Sequence, residues 1–95
     1  MKDLRETVEH MTSADYKERF KAEYWQTKIR YEKLKKFNTR IEAANAVSRE
    51  TKRTIVELPE YDCPEWILRE QEKAMSDYLH MLEMRALIER IDIDE

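Results

Sequence analysis

The sequence contains no Gly, two Pro and one Cys in 95 residues. Without Gly, it cannot contain the P-loop or the Rossmann fingerprint, which both need Gly where the backbone approaches a phosphate. A single Cys excludes an intramolecular disulfide and leaves no second thiol for a zinc site. No apolar run approaches the roughly 18 residues of a membrane span, and the N-terminal stretch lacks the apolar core of a signal peptide. These absences predict a cytoplasmic protein without a membrane partner.

The residues that are abundant favour long helices. Charged residues and hydrophobic residues each make up 41% of the chain, and most of the charged ones are good helix formers. The formal net charge is −3, which argues against duplex nucleic acid as a partner. We therefore predict an all-α protein that does not bind duplex nucleic acid.

Two segments carry the pattern of long helices. The first, residues 13–37, opens with a Thr-Ser-Ala-Asp capping motif and is expected to end at Asn38. The second, residues 64–89, opens with an acidic N-cap followed by Pro64 and a first-turn Glu. Each would be about 37 Å long at 1.5 Å per residue. Together they predict an antiparallel helical hairpin that occupies residues 13–89.

Three further segments complete the predicted organisation. The connector, residues 38–63, is predicted to be extended and contains a β-leaning stretch that Pro59 ends. Residues 41–50 could instead extend the first helix or form a short helix of their own. Residues 90–95 form an acidic tail. Residues 1–12 form an N-terminal amphipathic segment with a short helix. Its apolar positions, three to four residues apart, are Leu4, Val8 and Met11.

The apolar surface of the two long helices is too wide for a simple hairpin. One partner helix covers a stripe of about 100°, whereas the apolar residues of the second helix spread over about 180°. Trp25 and Ile29 lie on the far face of the first helix, where a bare hairpin would leave them exposed. A two-helix hairpin also buries little surface to offset its conformational entropy. These patterns predict self-association into a homo-oligomer.

Several polar residues lie within the apolar stripes, and two interpretations remain open. Glu23 could face Arg85 across the hairpin and form a buried pair that sets the register of the helices. Alternatively, Arg85 and Gln71 could line a polar pocket in which the guanidinium binds a phosphate or carboxylate. The spacing by itself favours the register pair.

A basic run with interleaved aromatic residues also has two interpretations. It is typical of a solvated helix face with ion pairs four residues apart. It would equally suit an anionic, base-bearing ligand, because cations hold phosphates while aromatic faces stack on bases. The cations are Arg19, Lys28, Arg30, Lys33, Lys35 and Lys36, and the aromatic residues are Tyr24, Trp25 and Tyr31.

No pattern in the sequence predicts catalysis. His10 and His80 are far apart, and neither belongs to a metal-binding or nucleophile-activating motif. The nearest approach to a helical metal site is Asp77-x-x-His80, which has no matching second motif. We predict a protein that is not an enzyme and that uses no metal or cofactor.

A resemblance to a known family rests on two segments, DYKERFKAEYWQTKIRYEKLKKF and CPEWILREQEKAMSDYLHMLEMRA. The most distinctive part is the pattern QxxAMxxYxxxLExRA in the second segment. The sequence resembles the anti-CBASS and anti-Thoeris sponge proteins, which are small hairpin proteins of bacteriophages that sequester cyclic oligonucleotide signals. The resemblance covers residues 15–88 apart from the connector.

This resemblance implies a homo-oligomer, commonly a hexamer, with ligand sites between protomers. Members bind cyclic dinucleotides, some also bind cyclic trinucleotides, and others bind cyclic ADP-ribose isomers, in each case without cleaving the ligand, and so withhold the signal from a host effector. The members that bind cyclic ADP-ribose isomers carry extra sequence beyond the hairpin, which makes that ligand less expected here. The resemblance also implies that Tyr16 stacks on a base and that Lys28 or Arg30 contacts a phosphate. The ligand-binding residues that we predict are Tyr16, Arg19, Lys28, Arg30, Gln71 and Arg85.

Two other functions remain open at this stage. An oligomeric helical adaptor would use the same surfaces to bind another protein. A single-strand nucleic-acid binder would use Trp25, Tyr31 and the lysines, although the net charge of −3 disfavours it.

Overall fold

The computed structural model describes residues 1–51 and 58–94, without the side chains of residues 48–51. In this part of the chain all regular structure is helical, as predicted. A 3₁₀ turn, Leu4–Thr7, leads into helix α1, Val8–Met11, and two long helices follow. These are α2, Tyr16–Thr51, and α3, Glu65–Glu89. The molecule measures 54 × 25 × 22 Å.

Helices α2 and α3 pack side by side in antiparallel orientation. The start of α2 meets the end of α3, where the Tyr16 hydroxyl donates to Glu89 Oε1 over 2.9 Å. About two turns further along α2, the Tyr24 hydroxyl donates to Glu83 Oε2 over 3.0 Å. This packing agrees with the predicted hairpin.

Helix α2 continues well past Phe37, its predicted last residue, so residues 38–51 of the predicted connector are helical. Asn38, the expected stop, is 2% exposed and faces α3. Its Nδ2 donates to the Leu68 carbonyl over 3.1 Å and to the Glu72 carboxylate over 2.9 Å. Because these bonds engage the side-chain NH2 group with α3, that group does not compete for the helix backbone as it would at a free helix end. The Asn38 Oδ1 atom is buried and has no hydrogen-bond partner among the described residues. Residues 52–57 of the predicted connector lie outside the described residues.

Helix α3 begins one residue after the predicted start, and its cap differs from the expected acidic one. Pro64 occupies the N-cap position with extended backbone angles and no side-chain cap. Its carbonyl accepts from the amides of Ile67 and Leu68. The helix therefore begins directly after Pro64, whose ring fixes the entry angle.

Besides Ile41 and Ala44, which are buried further along α2, a cluster of core residues lies toward the end of the hairpin where α2 begins. Tyr24 is buried there, and loss of solvent together with its hydrogen bond to Glu83 raises the pKa of the phenol to about 12. Trp25, Tyr31 and Ile93 pack against this core from the sides. The buried residues of the cluster are Phe20, Tyr24, Leu79, Leu82, Ala86 and Ile91.

The C-terminal segment is part of this core, which corrects the prediction of a simple acidic tail. Arg90 adopts the left-handed conformation at φ 57° and reverses the chain after α3. The amide of Ile91 then donates to the Ala86 carbonyl over 2.9 Å, and the Ile91 side chain is only 6% exposed. Asp92 and Asp94 remain on the outside. The turn thus adds an apolar residue to the core within two positions of the helix end.

We expect Arg90→Gly to stabilise the protein by roughly 1 kcal/mol. A residue with a Cβ is disfavoured at positive φ, whereas Gly adopts this conformation without steric cost. The melting temperature should rise by about 4–8 °C for a chain of this size. Arg90→Ala is the control, because it removes the same side chain but keeps the Cβ. Equal melting temperatures for the Gly and Ala variants would contradict the explanation.

The N-terminal segment, residues 1–12, packs along the first half of α2. Thr7 is completely buried, and Gln26 Nε2 donates to its hydroxyl over 3.0 Å. The Nδ1 atom of His10 is within hydrogen-bond distance of the Glu18 carboxylate. Of the predicted apolar positions, Leu4 is half-buried whereas Val8 and Met11 are exposed. Polar contacts therefore contribute to the docking of this segment more than its apolar pattern predicts.

This docking covers Trp25 and Ile29, which we expected to be exposed in a single chain. Both are half-buried, and they line a groove of about 320 Å³ together with Met1 and Lys2 of the N-terminal segment. The far face of α2 therefore has a partner within the same chain. The case for self-association rests instead on α3.

Candidate functional site

An apolar stripe runs along the outer side of α3. Its six residues are 38% to 77% exposed and fall within an arc of about 120° at 100° per residue. The arc is centred about 130° around the helix from the buried Leu79, Leu82 and Ala86. Glu70 and Asp77 interrupt the arc between Ile67 and Tyr78, and Leu87, which is 82% exposed, lies outside it. Exposed apolar residues grouped on one side of a helix are typical of an interaction site. The residues of this α3 stripe are Trp66, Ile67, Tyr78, Met81, Met84 and Ile88.

A second feature lies where α2 begins and α3 ends. Tyr16 is the first residue of α2, and Arg85 and Glu89 are one turn apart near the end of α3. Arg85 Nε donates to Glu89 Oε2 over 3.0 Å, while the Tyr16 hydroxyl donates to Glu89 Oε1. Arg85 Nη2 also donates to the Tyr16 hydroxyl. Each of the three residues of this Tyr16 cluster therefore contacts the other two.

Phe20, one turn after Tyr16, contacts the cluster from the side of the buried core. The Arg85 guanidinium lies over its ring, 4.9 Å from the centroid, in a cation–π contact. The Tyr16 ring centroid is 6.3 Å from that of Phe20, with the planes tilted by 59°. Because Phe20 is buried, it gives both surface residues a fixed base.

The cluster remains open to solvent. Tyr16 is 45% exposed, and the side chains of Arg85 and Glu89 are also accessible. A guanidinium has five N–H donors, of which the contacts above use two. The cluster therefore presents an aromatic ring, a cation with unused donors and a carboxylate side by side.

Hydrogen bonding sets the charges of the cluster. The bonds from Tyr16 and Arg85 lower the pKa of the Glu89 carboxyl. The same carboxylate raises the pKa of the Tyr16 phenol and of the Arg85 guanidinium. At neutral pH the cluster thus consists of a carboxylate, a cation and a neutral phenol.

The predicted register pair between Glu23 and Arg85 is wrong. Arg85 pairs with Glu89 on its own helix, and the Glu23 carboxylate instead accepts a hydrogen bond from the Tyr78 hydroxyl. Asn38, and Tyr24 with Glu83, make polar contacts between the two helices in its place. Arg85 therefore belongs to the accessible cluster at the helix ends.

The other predicted site residues lie elsewhere. Arg19 is one turn from Tyr16, but its Nη1 donates to the Ser13 carbonyl over 2.8 Å. Lys28 is half-buried and lines the groove beside the N-terminal segment. Its Nζ atom is 3.4 Å from Glu32 Oε1. Twelve residues of helix separate it from Tyr16, a distance of about 18 Å. Arg30 and Gln71 are exposed.

Of the six predicted residues, one chain thus brings only Tyr16 and Arg85 into contact. Glu89, which joins them, was not among the predicted residues. Its spacing of four residues from Arg85 is a signal that sequence reasoning could have used. The contact of Glu89 with Tyr16 depends on the relative position of α2 and α3.

The described residues carry no group of three or more His, Cys, Asp or Glu side chains arranged to hold a metal ion. Nor does any helix within residues 1–51 and 58–94 combine the length and apolarity needed to cross a bilayer.

The fold and the cluster define a small, all-helical binding protein. The model of the Sequestin family matches residues 14–90, and the chain belongs to this family. The match spans the described parts of α2 and α3 and confirms the resemblance to phage sponge proteins. As its name indicates, the family implies sequestration of a ligand rather than catalysis. No curated protein and no solved structure matches the chain.

Proposed function

We propose that the protein binds cyclic oligonucleotide second messengers and sequesters them without cleavage. Cyclic dinucleotides are the first ligand class and cyclic trinucleotides the second. Acting in the cytoplasm of a bacterium infected by a phage, it would withhold the signal from a host defence effector. The observation that carries this proposal is the Tyr16 cluster, in a chain of the Sequestin family.

The chemistry of the cluster suits such a ligand. A cyclic dinucleotide carries two phosphates and two bases, so that it needs cations and aromatic planes in fixed positions. The exposed Tyr16 ring can stack on a base. The unused donors of Arg85 can bind a phosphate in a charge-assisted, two-point contact. Because Phe20 and Glu89 already hold both side chains, binding costs little ordering of the site.

The proposal includes assembly into a homo-oligomer, with a hexamer as the expected stoichiometry. The α3 stripe is the surface that a second copy would cover. Residues 65–89 carry six Asp or Glu and three Lys or Arg, whereas residues 16–37 carry eight Lys or Arg and three Glu. An α3 stripe that packs against α2 of the next copy would therefore gain from both apolar burial and opposite charge.

Assembly would also complete the ligand site. Lys28 and Arg30 lie about 18 Å or more along α2 from Tyr16 of the same chain. A second copy can bring its own Lys28 or Arg30 to the Tyr16 cluster of the first. The phosphate contacts that the resemblance implies would then come from two chains.

The α3 stripe also suits the alternative function, a helical adaptor that binds another protein. The two functions share part of α3, because Arg85 of the Tyr16 cluster falls within the arc of the stripe at 100° per residue. They differ in that the adaptor needs the stripe alone, whereas the sponge also needs Tyr16. They are separated by asking whether a cyclic nucleotide binds.

The test is thermal unfolding of the full chain with a panel of cyclic di- and trinucleotides. A ligand at about 100 times its Kd stabilises the native state by about 2.7 kcal/mol, which raises the melting temperature measurably. Linear dinucleotides with the same bases serve as controls, and mass spectrometry of the ligand after incubation should find it intact. If an intact oligomer shows no shift with any cyclic ligand, the adaptor becomes the better explanation.

A further inference from the structure

We propose that the protein has a second binding site, between its N-terminal segment and α2, for a small aromatic acid. Such a ligand is an aromatic body that carries one anionic group. The site is the groove of about 320 Å³ that Trp25 and Ile29 line, which we call the N-terminal groove. The inference goes beyond the proposed function, because it concerns another place on the chain and another class of ligand.

The N-terminal groove lies away from the Tyr16 cluster and has two walls of different origin. One wall is the N-terminal segment, which contributes Met1 and Lys2, and the other is α2 from Trp25 to Lys36. The Sequestin family model matches residues 14–90, so that the first wall lies outside the match. Trp25 is about 14 Å along α2 from Tyr16. The groove is therefore a separate feature of this chain.

The groove concentrates positive charge in a chain whose net charge is −3. Four lysines and one glutamate line it. Lys28 Nζ lies 3.4 Å from Glu32 Oε1, whereas the other three ammonium groups form no ion pair with the residues that the structure describes. An anion among these cations would be attracted by each of them and would reduce their mutual repulsion. The three are Lys2, Lys33 and Lys36.

The groove is apolar at its base and basic at its rim. Trp25 and Ile29 are half-buried, whereas the three unpaired lysines are exposed. An aromatic body would contact the two apolar side chains while its anionic group stays near the lysines. A volume of about 320 Å³ lies at the lower end of the range for small-molecule sites, which suits a ligand of one or two rings.

One residue of the base, Trp25, also has an unused hydrogen-bond donor. Its indole Nε1 atom is buried and has no hydrogen-bond partner within the described part of the chain. An indole nitrogen can only donate, and a buried donor without a partner is rare and costly. A carboxylate in the groove would accept from it after a small adjustment of the side chains that cover the atom. This donor and the lysines together favour an anion over a neutral ligand.

The test compares 1-naphthoate with its neutral isostere 1-naphthamide by calorimetry on the full chain. The wild type should bind naphthoate about tenfold more tightly, because hydrogen bonds and ion pairs to a carboxylate are stronger than those to an amide. Lys33→Gln/Lys36→Gln should reduce this preference by about threefold or more. Lys35→Gln/Lys73→Gln is the matched control, since it removes the same charge from two exposed lysines outside the groove. The control should keep the preference.

Trp25→Phe tests the indole donor separately. It keeps an aromatic ring in the base of the groove but removes the N–H group, so that the preference for naphthoate should fall by about threefold or more. The ratio of the two affinities is the readout, because a loss of apolar contact or of stability weakens both probes alike. An equal loss for both probes would overturn the assignment of the indole as a donor.

The remaining outcomes decide the proposal as a whole. No binding of naphthoate, equal affinity for the two probes, or an unchanged preference in Lys33→Gln/Lys36→Gln would overturn it. This variant should also keep the mass of the wild-type assembly in light scattering, since a lower mass would assign the lysines to an interface between copies.

The proposed function is decided by a different measurement. Lys33→Gln/Lys36→Gln should bind cyclic nucleotides as the wild type does, and a parallel loss of both ligands would make the groove part of the sponge site. If the wild type bound naphthoate but no cyclic nucleotide, the proposed function would fail while this inference stands.

Discussion

Replacing Tyr16 with Ala is expected to weaken the binding of cyclic dinucleotides by at least about tenfold, because stacking of a base on an aromatic ring is lost. If two copies of Tyr16 contact one ligand, the two fold losses of affinity multiply. Tyr16→Phe keeps the ring but loses the hydroxyl, so that it should retain most of the affinity. Calorimetry with both variants measures the contribution of the ring.

The structure makes this a test of function rather than of folding. Tyr16 is 45% exposed and lies outside the group of buried core residues, so that Tyr16→Ala should leave the melting temperature nearly unchanged without ligand. The mass of the assembly should also stay the same in light scattering. A variant that dissociates or unfolds would identify Tyr16 as a structural residue and remove it from the proposed site.

Replacing Met81 with Glu is expected to separate the proposed homo-oligomer into folded single chains. Met81 lies in the middle of the α3 stripe and is exposed in the single chain. Burying a Met side chain stabilises an interface by about 1.5–3 kcal/mol, and a carboxylate in the same place would in addition lose its hydration without a partner. In a symmetric assembly, this loss of interface free energy occurs at every copy of the interface. Sedimentation measurements over a range of concentrations would detect the dissociation.

His80→Glu is the matched control for this experiment. His80 precedes Met81, is also exposed, and lies about 100° away around α3, outside the α3 stripe. The His80→Glu variant introduces the same carboxylate into the same helix. Because this carboxylate lies outside the α3 stripe, the variant should leave the assembly intact. If both variants dissociated the protein, added charge on α3 would be the cause. If neither did, the α3 stripe would not be the interface.

The sequence predicts well those features of the fold that depend on residues close together in the chain. It predicts poorly those that depend on contacts between distant residues. The bounds of α3 follow from Pro64 at its start and from apolar periodicity to Ile88, both of which are local. The end of α2 was misread because Asn38 usually ends helices, whereas here its amide bonds to α3. That contact joins residues thirty positions apart, beyond the reach of any local pattern.

The remaining differences have similar causes. The reversal of the chain at Arg90 was not predicted, because left-handed turns are usually marked by Gly, which this sequence lacks. The docking of the N-terminal segment depends on a contact between Gln26 and Thr7, two polar residues that carry no apolar pattern.

For the candidate site, the sequence predicts individual residues better than it predicts which of them contact each other. Tyr16 and Arg85 were identified from the sequence, and the structure brings them together. Lys28 and Gln71 were assigned to the same site, but in one chain they lie far from Tyr16. Glu89 was missed because its contact with Tyr16 exists only once α2 and α3 are aligned.

The N-terminal segment has a consequence for the size that an assembly can reach. A subunit with two independent adhesive faces can add copies at both sides and grow into an open filament. Residues 1–12 pack over part of Trp25 and Ile29, so that the α3 stripe of one copy can meet α2 of the next copy only where α2 stays open. In the proposed assembly, this restriction would narrow the angles at which copies can add. A single allowed angle lets a ring close, whereas several would give open chains of mixed geometry.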